Sequence, residues 1–249
     1  MKNRKKSKRD SRMKFDELVK LYDKMKEKYG VDAYKHVTEL LKTAKAIHKD
    51  GFEKSSTAQR ARAEGRSPDH EQSWRAFKGK NLEKLLLHMI NDEVSSLGLK
   101  VIGGNHLERT RAGNLSKELS QVKRNLLVDY GEFGSHLPDV DLIIYNPTDF
   151  KILAVLSSKV TFRERIAQTG YWKIKLQSDE VTKNIKVFFI TPDEDGTLTL
   201  KDPMKKGRAI VEVDTDGSYV MTEAGIEESD KVKKFDQFIV DLKKLLSAP

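Results

Sequence analysis

Two apolar runs, VDLIIY (140–145) and KILAVLSS (151–158), stand on either side of Asn146-Pro147-Thr148-Asp149, and the second runs straight into Lys159. Short aliphatic runs bounded by turn-forming residues predict two neighbouring strands joined by a turn. Antiparallel pairing through that turn brings Asp139, from Pro138-Asp139, beside Ser157 to Lys159. Pro-Asp also occurs at 68–69 and 192–193, but only at 138–139 does it lead into an apolar strand that hairpins back to a lysine.

The rest of the chain supplies the layers around this hairpin. Apolar positions three and four apart (Phe15, Leu18, Leu21, Tyr22, Met25; then Val37, Leu40, Leu41, Ala44, Ile47) predict two helices split near Gly30. The polar stretch from Glu53 to Gln72 reads as a hinge or linker. A strong helix follows from Trp74, with Leu82, Leu85, Leu86, Met89 and Ile90 as its stripe, and Gly98 closes it. LKVIGG reads as a short strand, and Asn105–Asn125 as a basic loop with some helix. Beyond Lys159, a helix is expected from Thr161 to about Leu176, where Thr161-x-x-Glu164 spells a capping box. A strand and a hairpin turn are expected in IKVFFITPDEDGTLTL, another hairpin in AIVEVDTDGSYVM, and an amphipathic helix at the end. The sum is an α/β chain, a mixed sheet flanked by helices with a helical N-terminal region.

Composition removes several classes of function. The chain has no cysteine among its 249 residues, so disulfides and thiolate metal sites are excluded and a cytoplasmic setting is expected. No apolar run approaches the roughly 18 residues of a membrane span, and the basic N-terminus lacks the apolar core of a signal peptide. Eight Lys and Arg against one Asp fall within residues 1–14, leaving the other 235 residues with 39 basic and 37 acidic side chains. Residues 1–14 therefore read as a basic arm, either solubilising or suited to phosphates, and a nearly neutral body must bind any nucleic acid through local patches. Phosphate-loop, dinucleotide, zinc-helix and hydrolase-elbow motifs are all missing. The six histidines are scattered without ligand spacing.

What remains is an acid and a lysine converging at the open end of a sheet. A carboxylate there can hold Mg²⁺, a hard ion that takes oxygen ligands and polarises a phosphate, while the lysine orients water or offsets charge on phosphorus. A plain salt bridge across a hairpin end is the competing reading of the same pair.

Pro138-Asp139 followed by Ser157-Ser158-Lys159 resembles the PD-(D/E)XK nuclease core. SSKVTFRERIAQTGYWK (157–173) is similar to the corresponding segment of type II restriction endonucleases of the CCGG group, in its BsaWI-like branch. The likeness spans about residues 137–177 and implies a Mg²⁺-dependent enzyme that cleaves double-stranded DNA at a palindromic site with a CCGG-like core. It implies metal on Asp139, catalysis by Lys159 with Ser157 in the usual acid's place, and base reading by Arg163, Glu164 and Arg165. Arginine can grip guanine through a bidentate fork and glutamate can accept from cytosine, so this string suits C·G pairs. Ser157 is a poor magnesium ligand, and the position where the group commonly supplies another carboxylate is Trp172. Glu83, set between core-facing leucines at 82, 85 and 86, is the expected substitute, with Asp141 and then Glu164 as further candidates. A symmetric site implies a homodimer or higher assembly. The expected division is a basic arm (1–14), a helical region (15–66) and a nuclease domain (67–249). A structure-selective repair or junction nuclease is one alternative. A non-catalytic DNA-binding protein on a nuclease fold, favoured by Ser157, is another.

Overall fold

The computed structural model describes residues 12–160 and 165–247, and the chain divides into two compact units, Met1–Asn81 and Leu82–Pro249. In the first, α1 (Phe15–Tyr29) and α2 (Val37–Glu53) are separated by a 3-10 helix over Gly30–His36. Gly30 ends α1 at φ 58, in the left-handed region that favours glycine. Leu18 and Tyr22 of α1 and Val37, Leu40, Leu41 and Ala44 of α2 are buried, as their spacing predicts.

The stretch expected to be a linker instead holds a helix, α3 (Ser56–Ala63). Ser55 caps it by accepting from the Ala58 N–H at 3.3 Å, and Ala58 and Ala61 are its buried residues. Alanine is the best helix former yet the smallest apolar anchor, so the segment carries no visible stripe. The expected boundary between 66 and 67 falls in the loop before α4 (His70–Ser96), and the division into units falls within α4.

The second unit runs β1 (Lys100–Gly103), α5 (Gly104–Arg109), α6 (Lys117–Arg124), β2 (Val128–Asp129), β3 (Ser135–His136), β4 (Leu142–Tyr145) and β5 (Ile152–Ser158). It continues with α7 (Arg165–Gln177), β6 (Lys186–Thr191), α8 (Lys206–Asp214), β7 (Gly217–Val220), β8 (Val232–Lys234) and α9 (Gln237–Ser247). Among the described residues the main sheet has six strands in the order β1-β4-β5-β6-β7-β8. The pairs β1–β4 and β4–β5 are antiparallel, whereas β5–β6, β6–β7 and β7–β8 are parallel. β2 and β3 form a separate two-stranded ribbon.

Parallel neighbours need a crossover rather than a tight turn, and this overturns two expected hairpins. The loop after β6 does not return as a strand, and Ala209–Val213, whose β-branched residues read as a strand, lies in α8 with Arg208 and Val211 buried. α7 and α8 are thus the crossovers of β5–α7–β6 and β6–α8–β7. Leu107, Val122, Ile143, Tyr145, Val155 and Leu176 belong to one apolar cluster, and Ile166, Phe189, Leu198, Val211 and Val220 to a second. No helix among the described residues is long and apolar enough to cross a membrane.

Candidate active site

The hairpin register decides which acid meets the lysine. Leu142 pairs with Leu156 and Ile143 with Val155, and the Asp141 N–H donates to the Leu156 carbonyl at 2.9 Å. Asp141 therefore stands level with Ser157. Lys159 Nζ donates to Asp141 Oδ2 at 2.5 Å, and the Ser158 backbone N–H donates to the same oxygen at 2.6 Å. Asp139, expected in this place, is exposed and turned elsewhere: its Oδ2 accepts from Gln168 Nε2 of α7 at 2.8 Å. The reason is local. β4 begins at Leu142 and the Asp141 N–H still bonds to β5, whereas Asp139 lies beyond the paired strand, where its side chain meets α7.

Glu83 comes to the same place from α4. It is half-buried, and Asn105 Nδ2 donates to its Oε2 at 3.3 Å. Burial pushes the Glu83 carboxyl above its ordinary value of 4.5, and the charge of Asp141 pushes it further; Asn105, Lys159 and Lys84 oppose the shift. Ser157 and Ser158 are buried at the end of β5. Of the expected base-reading residues, Arg163 and Glu164 lie outside the described residues, and Arg165 is the first residue of α7. Asn105 and Gln168 carried no signal in the sequence, since an isolated amide has no motif.

Two carboxylates and an ammonium thus converge where the antiparallel half of the sheet meets the parallel half. Among the described residues no three His, Cys, Asp or Glu side chains gather as a metal cluster, so the acidic donor set is the pair Glu83 and Asp141. That pair fits a divalent cation. Two oxygen-bearing acids brought together in partial burial repel each other, and a hard cation between them removes that repulsion.

The mixed sheet flanked by helices is the α/β fold of PD-(D/E)XK-like restriction endonucleases. The solved structure of restriction endonuclease PspGI with substrate DNA superposes with a TM-score of 0.55, at 13% identity, covering 94% of this chain and 96% of that one. The family described as BsaWI restriction endonuclease type 2 matches residues 118–241. MjaVIP of Methanocaldococcus jannaschii, assigned as a type II restriction enzyme, is 35% identical over 235 residues, which cover 92% of this chain and 93% of that protein. A Helicobacter pylori protein with the same assignment is 43% identical over 127 residues, 51% of this chain and 64% of its own. The chain belongs to the BsaWI-like family of type II restriction endonucleases, and is a site-specific nuclease.

Proposed function

We propose that this enzyme cleaves both strands of duplex DNA at a palindromic site with a CCGG-like core, using Mg²⁺ held by Asp141 and Glu83. The observation that carries the reading is the 2.5 Å contact between Lys159 and Asp141 with Glu83 alongside. When bound, the metal supplies a Lewis acid for the scissile phosphate and a lowered pKa for an attacking water. The chain's own groups do the rest. Lys159, whose ammonium neutralises Asp141, offers its other N–H donors to a phosphate oxygen as negative charge builds on phosphorus. The water oxygen then bonds to phosphorus as the bond to the leaving sugar oxygen breaks. The Ser158 N–H and Asn105 fix the two carboxylates in orientation. Asp141 takes the role that the motif gave to Asp139, and Ser157 completes the strand end without a carboxylate of its own.

Arg163, Glu164 and Arg165 are the proposed base readers, at and just before the start of α7. A palindromic site is matched by a two-fold symmetric protein, so a homodimer is the proposed working form. The DNA held by PspGI supports a duplex as the substrate. Incubating the protein with a sequenced plasmid and Mg²⁺, then mapping the ends, tests the reading. Discrete fragments with CCGG at each end support it. A smear, cleavage of branched substrates alone, or binding without cutting overturns it.

A further inference from the structure

Asp139 has no part in the hydrolytic centre proposed above, yet it is firmly placed. Pro138 and Val140 on either side of it are buried, so the segment is seated while the Asp139 side chain turns out to α7. There its Oδ2 accepts from Gln168 Nε2 at 2.8 Å. Two further contacts join the same segment to the same helix. The hydroxyls of Tyr130 and Tyr171 lie 3.1 Å apart, and Lys175 Nζ stands 4.9 Å from the centroid of the Tyr130 ring. Positions 168, 171 and 175 are spaced by three and four, so they share one face of α7. Tyr130, beside the turn of the β2–β3 ribbon, and Asp139, just before β4, thus meet the same face of α7, and the Asp139–Gln168 contact lies at the end nearest Arg165. Asp141 is two residues further along the chain from Asp139.

The chemistry of the contact is directional. A carboxylate only accepts, so it draws in the amide nitrogen of Gln168 and fixes which way the amide is turned. An exposed hydrogen bond contributes little to stability by itself. Its effect lies in geometry, because a misplacement of about 1 Å at a reacting group costs on the order of 100-fold in rate.

Resting on the reading of Asp141, Glu83 and Lys159 as the hydrolytic centre, we infer that Asp139 is a positioning residue. Through Gln168 it holds the first turns of α7 in register with the strand that bears Asp141. It governs which sequence is cut rather than whether a phosphodiester is hydrolysed.

The test compares cleavage rates on a duplex carrying the mapped site and on the same duplex with one base pair changed. Asp139→Ala and Gln168→Ala should each lower the ratio of the two rates about 10-fold, the scale of one base contact. The double variant should fall no further than either single one. Asp139→Asn keeps an oxygen that accepts from Gln168 but loses the charge, and it should keep the wild-type ratio and rate. Asp139→Asn as inactive on every duplex as Asp141→Asn would make Asp139 a metal ligand and overturn the inference. Additive losses, or a Gln168→Ala protein with an unchanged ratio, would also overturn it. Should Asp139→Ala not fold, Asp139→Asn and Gln168→Ala decide the matter between them. Wild-type cleavage by Asp141→Asn would instead sink the hydrolytic reading, a failure visible without any Asp139 variant.

Discussion

The second unit contains two lysine–aspartate pairs of nearly the same build. In one, Lys159 Nζ and the Ser158 N–H both reach Asp141 Oδ2, at 2.5 and 2.6 Å. In the other, Lys173 Nζ and the Val187 N–H both reach Asp216 Oδ2, at 2.6 and 2.8 Å. Their surroundings differ in sign. Asp216 has a second ammonium, Lys186, at 3.7 Å from its other oxygen, whereas Asp141 has a second carboxylate, Glu83, nearby. Exposure differs as well: the Lys159 side chain is 25% exposed and that of Lys173 only 8%. The Asp216 cluster has an ammonium to spare and its Lys173 is buried, so it offers no place to a metal ion. Around Asp141 the acids outnumber the ammonium in a more accessible place, so a cation has something to do there. An ion pair at a strand end is therefore not in itself a site; the charge left over beside it is what matters.

The sharpest way to break this comparison is to remove the two lysines in turn. Lys159→Ala should lower cleavage by about 10³-fold, the scale of losing a preorganised transition-state contact, with duplex binding retained in a gel-shift assay. Loss of binding together with cleavage would make Lys159 structural. Lys173→Ala should cost about 3 kcal/mol of stability in denaturant unfolding, as expected when a buried pair loses one partner, with cleavage per folded molecule unchanged. A smaller change is expected at the proposed base readers. Arg163→Ala should weaken binding by about 1–3 kcal/mol at one base pair only, and uniform weakening across sequences would reassign it to phosphate contact.

The smallest effect concerns Glu83 in metal-free protein. Its carboxyl is held above 4.5 by burial and by Asp141, so the folded state prefers the protonated form. That contribution to stability is full below the ordinary carboxylate range and is lost as pH rises through the folded-state value. Glu83→Gln should therefore melt higher than the wild type at neutral pH without metal, by a difference that vanishes in acid, while eliminating cleavage with Mg²⁺. An unchanged melting temperature at both pH values would remove the electrostatic argument for Glu83.

The hairpin was legible because runs of Leu, Ile and Val on either side of Asn-Pro-Thr-Asp leave few alternatives. The placement of its acids was not. Two residues separate Asp139 from Asp141 on one strand face, and which of them reaches Lys159 depends on where the pairing of β4 with β5 ends, which leaves no compositional mark. Glu83 could be picked out because it interrupts a leucine stripe on a helix. α8 was hidden because Ala-Ile-Val-Glu-Val is rich in the β-branched residues of a strand, and only the parallel arrangement of β6 and β7 calls for a crossover there. The placement of Gln168 and Asn105 depends on how distant elements meet, which local pattern does not encode.

Gly104, the first residue of α5, donates its N–H to the Asp141 carbonyl at 2.9 Å, and a Cβ placed on it would lie 2.0 Å from the Val140 carbonyl oxygen. Backbone cannot yield to backbone at that separation, so any side chain at position 104 would lever aside the peptide unit that leads into Asp141. In a survey of random variants this position should therefore score with the hydrolytic residues, although it offers no functional group. Intolerance to substitution there would mark a hinge pin of the enzyme, one whose bareness is its contribution.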